Sequence, residues 1–241
     1  MPKSESPKVK GSLHGSVGAI LLAAGESRRM DGVDKAFIPI LGKPLLAYSL
    51  DVLQKCLYVD EIALVMGVHN LEKGKSLVRE GQWGKVNRVC IGGARRQDSV
   101  RNGLENLTPL KWVLVHDGAR PFIDNDMILR GLESARETGA AVAAVPVKDT
   151  IKMADGSGLV KNTPSRSSLW SAQTPQLFKR ELLLEAHAAI QDDVTDDSTM
   201  VERLGYNVKL FMGSYDNIKV TTTQDVKLAE AILSSPANSG S

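Results

Sequence analysis

The sequence predicts an α/β protein: a Rossmann-like, mostly parallel sheet flanked by helices, with an inserted β-hairpin arm. Three observations predict it. Short apolar runs alternate about four times with segments whose apolar residues recur at helical spacing. The runs are apolar on both faces, as in the buried centre of a parallel sheet. The rhythm then breaks at Asp149, where short extended pieces flank the Gly-rich turn Asp155-Gly156-Ser157-Gly158.

Val17–Ala23 is almost purely apolar and predicts a buried strand leading into the loop that starts at Ala24-Gly25. Pro44–Leu57 carries Leu45, Leu46, Leu50, Leu53 and Leu57 at helical spacing, with Pro44 suited to the first turn. Strands follow at Glu61–Met66, Val86–Ile91, Trp112–His116 and Ala140–Val147. Helices are expected at Val68–Glu80 with Gly81 as its stop, at Gln97–Leu107, and at Asn125–Glu137 with Gly139 as its stop. Thr150–Met153 and Leu159–Thr163 form the hairpin, which is too small to stand alone and must pack on the body or on another subunit. Helices over Lys179–Ile190 and Ser198–Leu204, strands over Asn207–Met212 and Asn217–Val220, and a capped helix over Thr223–Leu233 complete the chain. The expected organisation is a flexible leader (1–16), one domain (17–233, arm about 149–172) and a fraying Ser/Gly-rich tail (234–241).

The 241 residues are 42% hydrophobic and 24% charged, an ordinary globular mixture that excludes wholesale disorder and collagen-like or disulfide-rich scaffolds. A net charge of +2 gives no general case for nucleic-acid or membrane binding, so any anion site must be local. Cys56 and Cys90 form no CxxC pair, which points to two core thiols and a reducing compartment. No apolar run is long enough to cross a bilayer, and Met1–Ser16 lacks the apolar stretch of a secretory signal.

Four segments carry candidate chemistry, each following an apolar run. The loop Ala23-Ala24-Gly25-Glu26-Ser27-Arg28-Arg29-Met30 leaves the first strand at its carboxyl end, where open parallel sheets bind ligands. Its small residues let backbone N–H groups approach a phosphate, and Arg28, Arg29 and Lys35 supply positive charge. It lacks both GK[ST] and GxGxxG; the plainer alternative is a strand-to-helix turn with solvated arginines. Gly92-Gly93-Ala94-Arg95-Arg96-Gln97-Asp98-Ser99 is a Gly-rich turn that suits a flat base held against backbone, or is merely a turn. His116-Asp117-Gly118-Ala119-Arg120-Pro121 places Asp117 at the sheet's carboxyl edge, where it either holds Mg²⁺ against phosphates or caps the next turn. His116 reads as structural. Asp216-Asn217-Ile218-Lys219-Val220-Thr221 offers Lys219 at the end of a late strand, or as a surface lysine.

Together with Asp149-Thr150-Ile151-Lys152, Gln173-Thr174-Pro175-Gln176 and Thr195-Asp196-Asp197, these motifs resemble the nucleotidyltransferases that activate sugar and alditol phosphates. More narrowly, they resemble the 2-C-methyl-D-erythritol 4-phosphate cytidylyltransferase family of the non-mevalonate isoprenoid pathway. The resemblance runs from about Val17 to Leu233 with the motifs in the family's order. Departures are small: the segment from Met30 to Lys35 is short, Asp34 stands where the family often has Pro, and Gly118 where many members have Ala.

The resemblance implies CTP and an alditol phosphate as substrates, a divalent cation such as Mg²⁺ as cofactor, and an arm-exchanged homodimer. By the same resemblance, Arg29 and Lys35 stabilise charge at the α-phosphate, with Arg28 nearby, and Asp117 holds the metal. Ala23, Ala24, Gly25, Gly93 and Ser99 line the nucleotide pocket. Lys219 and Arg166 position the acceptor phosphate, which Thr150 also contacts, with Thr150 and Arg166 coming from the neighbouring subunit's arm. The nearest rival is a ribitol-5-phosphate cytidylyltransferase; the Thr195-Asp196-Asp197-Ser198 and His116–Arg120 stretches lean away from it. Others are a silent nucleotide-binding protein, against which Arg29, Lys35, Asp117 and Lys219 together argue, and an oxidoreductase, for which GxGxxG is missing. A bacterial cytoplasm is expected rather than a plastid, because the leader lacks transit-peptide character.

Overall fold

A computed structural model of the protein describes residues 17–25 and 34–235. In chain order the elements are β1 (Val17–Ala23), β2 (Pro39–Ile40), β3 (Lys43–Pro44), α1 (Leu45–Lys55), β4 (Val59–Met66), α2 (Leu71–Gly81), β5 (Val86–Ile91), α3 (Arg96–Glu105) and β6 (Trp112–Asp117). There follow α4 (Asn125–Thr138), β7 (Ala140–Pro146), β8 (Met153–Ala154), β9 (Val160–Asn162), β10 (Trp170–Lys179), α5 (Arg180–Ala189), α6 (Asp197–Arg203), β11 (Lys209–Met212) and α7 (Thr223–Leu233).

Seven strands form the central sheet in the order β11-β7-β10-β6-β1-β4-β5. All neighbours are parallel except β10, which runs antiparallel to both β6 and β7. The sheet is therefore mixed but mostly parallel, as the alternation predicts. Period-two alternation sends successive β1 side chains to opposite faces. Ala19 and Leu21 join a core with Leu46, Leu50, Met127 and Ile128 from α1 and α4. Ile20 joins a second core with Val100, Leu104, Leu183 and Met200 from α3, α5 and α6. With helices on both faces, β1, β6 and β7 have no wet side, which explains their continuous apolar runs.

The helix ends follow from local chemistry. Asp124 caps α4 by accepting from the Met127 N–H at 2.6 Å, and Gly139 closes that helix at φ 90°, a conformation open to glycine without steric cost. α7 begins with a reciprocal capping box between Thr222 and Asp225. Gly81 is not the stop expected for α2. It is the last helical residue, and Gln82 takes the left-handed position at φ 55°.

Two further expectations are corrected, and one central strand has no counterpart among them. Asn217–Val220 is not a strand: its N–H groups serve local turns and one contact, Val220 N–H to the Ala119 carbonyl at 2.8 Å, and no ladder forms. β10 is hidden by its composition. Its residues Gln173, Thr174 and Gln176 are buried, but each makes a side-chain hydrogen bond, so the central strand carries no apolar run over Gln173–Gln176. β5 lies at the sheet edge and is not apolar on both faces, which leaves Cys90 half-buried while Cys56 is in the core; both thiols are free.

A hairpin forms after β7 with β8 and β9 antiparallel, but its first strand is Met153–Ala154 rather than Thr150–Met153, and its second, Val160–Asn162, falls within the expected Leu159–Thr163. Asp155 organises its turn by accepting from the Ser157 and Leu159 N–H groups. Among the described residues no helix is long and apolar enough to cross a membrane. The expected leader lies outside the described residues, as does the tail from 236 onward.

Candidate active site

β1, β4 and β6 end at the same edge of the sheet, and a cleft of about 630 Å³ opens there. Ala23, Ala24 and Gly25 line it from the end of β1, Gly92 and Gly93 from the turn into α3, Ser99 from the first turn of α3, Asp117 from β6, and Lys35 and Lys219 from flanking segments. These residues, all singled out by the sequence, thus meet in one place. Arg28 and Arg29 lie outside the described residues. Thr150 and Arg166 do not line this cleft. They stand exposed on the arm segment, where Arg166 Nη1 donates to the Lys148 carbonyl at 2.8 Å.

Small residues make the cleft possible. A Cβ on Gly92 would lie 2.5 Å from Ala24 Cβ and 2.7 Å from Ser99 Oγ, so only glycine lets these walls approach. Ser99 Oγ accepts from the Gly93 N–H at 3.1 Å and shapes the turn. Lys35 sits in a short 3₁₀ turn, Lys35–Phe37. Asp34, the departure from the family pattern, caps that turn by accepting from the Ala36 N–H at 3.2 Å, and Asn70 donates to its other oxygen. Asp34 therefore anchors the turn that carries Lys35.

Asp117 is the electrostatic centre. Its carboxylate is 2.9 Å from Lys219 Nζ, 3.5 Å from Arg96 Nε and 3.7 Å from Arg120 Nε. Burial alone would raise its pKa, but Arg96, Lys219 and Arg120 together hold it well below the ordinary carboxylate range. It is therefore ionised near neutral pH. The sequence motifs contain Arg96 and Arg120, yet sequence reasoning gives neither a role. The signal for Arg96 is its place directly after the glycine turn.

The backbone around Asp117 is pinned from three segments. Its N–H donates to Thr174 Oγ1 at 3.0 Å, and Thr174 Oγ1 lies 3.0 Å from His116 Nδ1. His116 Nε2 faces the Arg120 carbonyl at 3.0 Å. A carbonyl only accepts, so Nε2 carries the proton and Nδ1 accepts from the Thr174 hydroxyl. Burial pushes the His116 pKa down to about 4, so the ring is neutral and structural, as the sequence suggests. Asn217 Nδ2 donates to the Thr174 carbonyl at 2.8 Å, and Arg120 Nη1 donates to the Asn217 carbonyl at 2.7 Å. This knits the Lys219 segment to the edge of β6.

Among the described residues, no group of three or more His, Cys, Asp or Glu side chains gathers to hold a metal ion. Mg²⁺ does not need one, since it is commonly bound by one or two carboxylates, waters and substrate phosphates. Asp117, ionised and lining the cleft, is such a carboxylate, so the donor set fits an ion shared with a polyphosphate.

The family model for 2-C-methyl-D-erythritol 4-phosphate cytidylyltransferase matches residues 17–235. A protein of that name from Dehalococcoides mccartyi (strain CBDB1) is 49% identical over 92% of this chain and 97% of its own length. One from Alkaliphilus oremlandii is 43% identical over 89% of this chain and 93% of its own. The solved structure of 4-diphosphocytidyl-2C-methyl-D-erythritol synthase from Anaerococcus prevotii superposes with a TM-score of 0.80 at 32% identity, covering 90% of this chain and 96% of that one. That of the cytidylyltransferase from Thermus thermophilus gives 0.74 at 35% identity, with 90% and 98% covered.

Proposed function

The chain belongs to the 2-C-methyl-D-erythritol 4-phosphate cytidylyltransferase family, and from that premise we propose that it transfers a cytidylyl group from CTP to 2-C-methyl-D-erythritol 4-phosphate. The products are 4-(cytidine 5′-diphospho)-2-C-methyl-D-erythritol and pyrophosphate, a step of isoprenoid biosynthesis. The observation that carries the reading is the convergence of Asp117, Lys219, Arg96 and Lys35 with the glycine-lined walls in a single cleft.

An acceptor phosphate oxygen attacks the α-phosphorus of CTP. A new P–O bond forms, the α–β bridging bond breaks, and pyrophosphate leaves. The acceptor is a phosphate monoester with a second pKa near about 6, largely dianionic at neutral pH, so no general base is required. The barrier lies in bringing one anion onto another and holding the crowded, charged transition state, which is work for positioning and fixed charge. Arg29 and Lys35, with Arg28 nearby, stabilise charge at the α-phosphate. Lys219 positions the acceptor phosphate as a point charge. Ala23, Ala24, Gly25, Gly93 and Ser99 seat the nucleoside through backbone groups. Asp117 holds Mg²⁺, which when bound screens the triphosphate and polarises the α-phosphate.

Arg166 and Thr150 complete the acceptor site from the arm of a second copy of the chain. Two features support this. The hairpin has only two strands, too few for independent stability. Around it Ile151, Met153, Leu159, Val160 and Trp170 are exposed, an apolar surface that a partner subunit would cover. The cytoplasm of a bacterium is the compartment this reading implies.

The test is release of pyrophosphate from CTP, coupled to a chromogenic reporter, with 2-C-methyl-D-erythritol 4-phosphate and ribitol 5-phosphate offered in parallel. Release with the first and not the second is expected. Release only with ribitol 5-phosphate would reassign the acceptor, and none with either would undo the reading.

A further inference from the structure

At the floor of the cleft, Arg96 is held between two carboxylates. Its Nη1 donates to Asp197 Oδ2 at 2.5 Å, while its Nε stays 3.5 Å from Asp117 Oδ1, too far for a good hydrogen bond. Its Nη2 is buried with no hydrogen-bond partner among the described residues. Asp197 is fully buried, and although it belongs to the Thr195-Asp196-Asp197 motif, no role has been given to its side chain. It is also rigidly placed. Asp196, the preceding residue, caps α6 by accepting from the Thr199 N–H at 3.0 Å and accepts from Gln176 Nε2 of β10 at 2.7 Å. On the upstream side, Gln97 of α3 clamps the loop after α5, donating to the Asp192 carbonyl and accepting from the Val194 N–H. His187 Nε2 lies 3.6 Å from Asp197 Oδ1 and closes the far side.

An arginine with one nearby carboxylate prefers a bidentate grip on it. Here the stronger contact goes to the carboxylate that is out of the cleft, and the one at the cleft edge keeps the looser contact. We propose that Asp197 is a positioning residue: it holds the Arg96 guanidinium beside Asp117 rather than on it, leaving Asp117 Oδ1 open to the phosphate-bound cation while Arg96 keeps the floor of the cleft positive. The inference rests on the reading of Asp117 as the nucleotide-side carboxylate. If the charge on Asp197 is removed, Arg96 is free to fold onto Asp117 and occupy both of its oxygens.

The experiment measures kcat and KM for CTP and for the acceptor in the full-length protein carrying Asp197→Asn, Asp197→Glu, Arg96→Gln and the Asp197→Asn/Arg96→Gln pair, with melting temperatures alongside. Asp197→Asn is expected to lower kcat/KM for CTP by roughly 10- to 100-fold, as loss of an outer-shell partner does, with acceptor KM near wild type. Asp197→Glu should recover much of the loss, and the double variant should be no worse than Arg96→Gln alone. A lowered melting temperature with unchanged kcat/KM for CTP would make Asp197 merely structural and overturn the proposal, as would losses that multiply in the double variant. If Asp197→Asn does not fold, Arg96→Lys decides the matter: it keeps the charge but cannot span both carboxylates, and unchanged CTP kinetics would overturn the proposal. A wild-type enzyme that releases no pyrophosphate undoes the functional reading itself; an active one indifferent to these variants sinks only this inference.

Discussion

Lys219 Nζ lies 2.9 Å from Asp117 Oδ2, although one residue ends β6 and the other sits in an extended segment just ahead of α7. The pair couples a carboxylate, held ionised by its neighbours, to a cation whose side chain is 44% exposed at the cleft. Asp117 is thus poised between a resting ion pair and any ligand that competes for either partner.

From that pairing, Lys219→Ala should lower turnover by roughly 10²-fold or more, as removal of one transition-state donor can, with the fold intact because the side chain is half in solvent. Arg29→Ala and Lys35→Ala should each do the same. Steady-state pyrophosphate release with circular dichroism checks this, and near wild-type turnover in Arg29→Ala and Lys35→Ala would remove their assigned role.

Gly92→Ala should narrow the cleft, because the added Cβ would press on Ala24 and Ser99. A loss of about 1–3 kcal/mol in stability is expected from such overpacking, together with weaker CTP binding by calorimetry. Undiminished affinity would show that the wall yields without consequence.

Arm exchange makes a prediction about mixtures. Arg166→Ala and Lys219→Ala proteins, each impaired alone, should recover roughly a quarter of the wild-type rate when unfolded and refolded together, since a mixed dimer of this symmetry keeps one intact site. No recovery would place Arg166 in the site of its own subunit, or outside it. Arg166→Ala alone should impair use of the acceptor far more than CTP binding.

His116 predicts the pH dependence of stability. Its pKa falls from 6.5 to about 4 on folding because burial disfavours the charged ring. Below 6.5 the unfolded chain binds a proton that the native state refuses, so this contribution is complete above 6.5 and is lost as pH falls toward 4. Asp117 and Asp197, both depressed, withdraw their stabilisation only at lower pH, below about 3.8. Urea midpoints across pH values from about 7 to about 4 should therefore fall in the wild type and fall less steeply in His116→Gln. Parallel slopes would contradict this account.

Most of the fold is legible because burial on both sheet faces leaves a strong trace: Val17–Ala23 and Ala140–Pro146 have no polar face to offer. β10 leaves no such trace, since Gln173, Thr174 and Gln176 find hydrogen-bond partners far along the chain, which no local pattern reveals. Asn217–Val220 fails in the opposite sense. Its residues favour extended backbone, but the adjoining groups belong to Arg120, Thr174 and Ala119, and no neighbouring strand among the described residues is there to pair with it.

The candidate site divides in the same way. Which residues carry charge, and that they follow apolar runs, is a local property of the chain, and it suffices to name Lys35, Asp117 and Lys219. How they share that charge is settled by packing. Arg96 reaches Asp197 and Asp117 at once only because α3, α6 and β6 are brought side by side, and a guanidinium's partner depends on distance in space rather than on position in the chain.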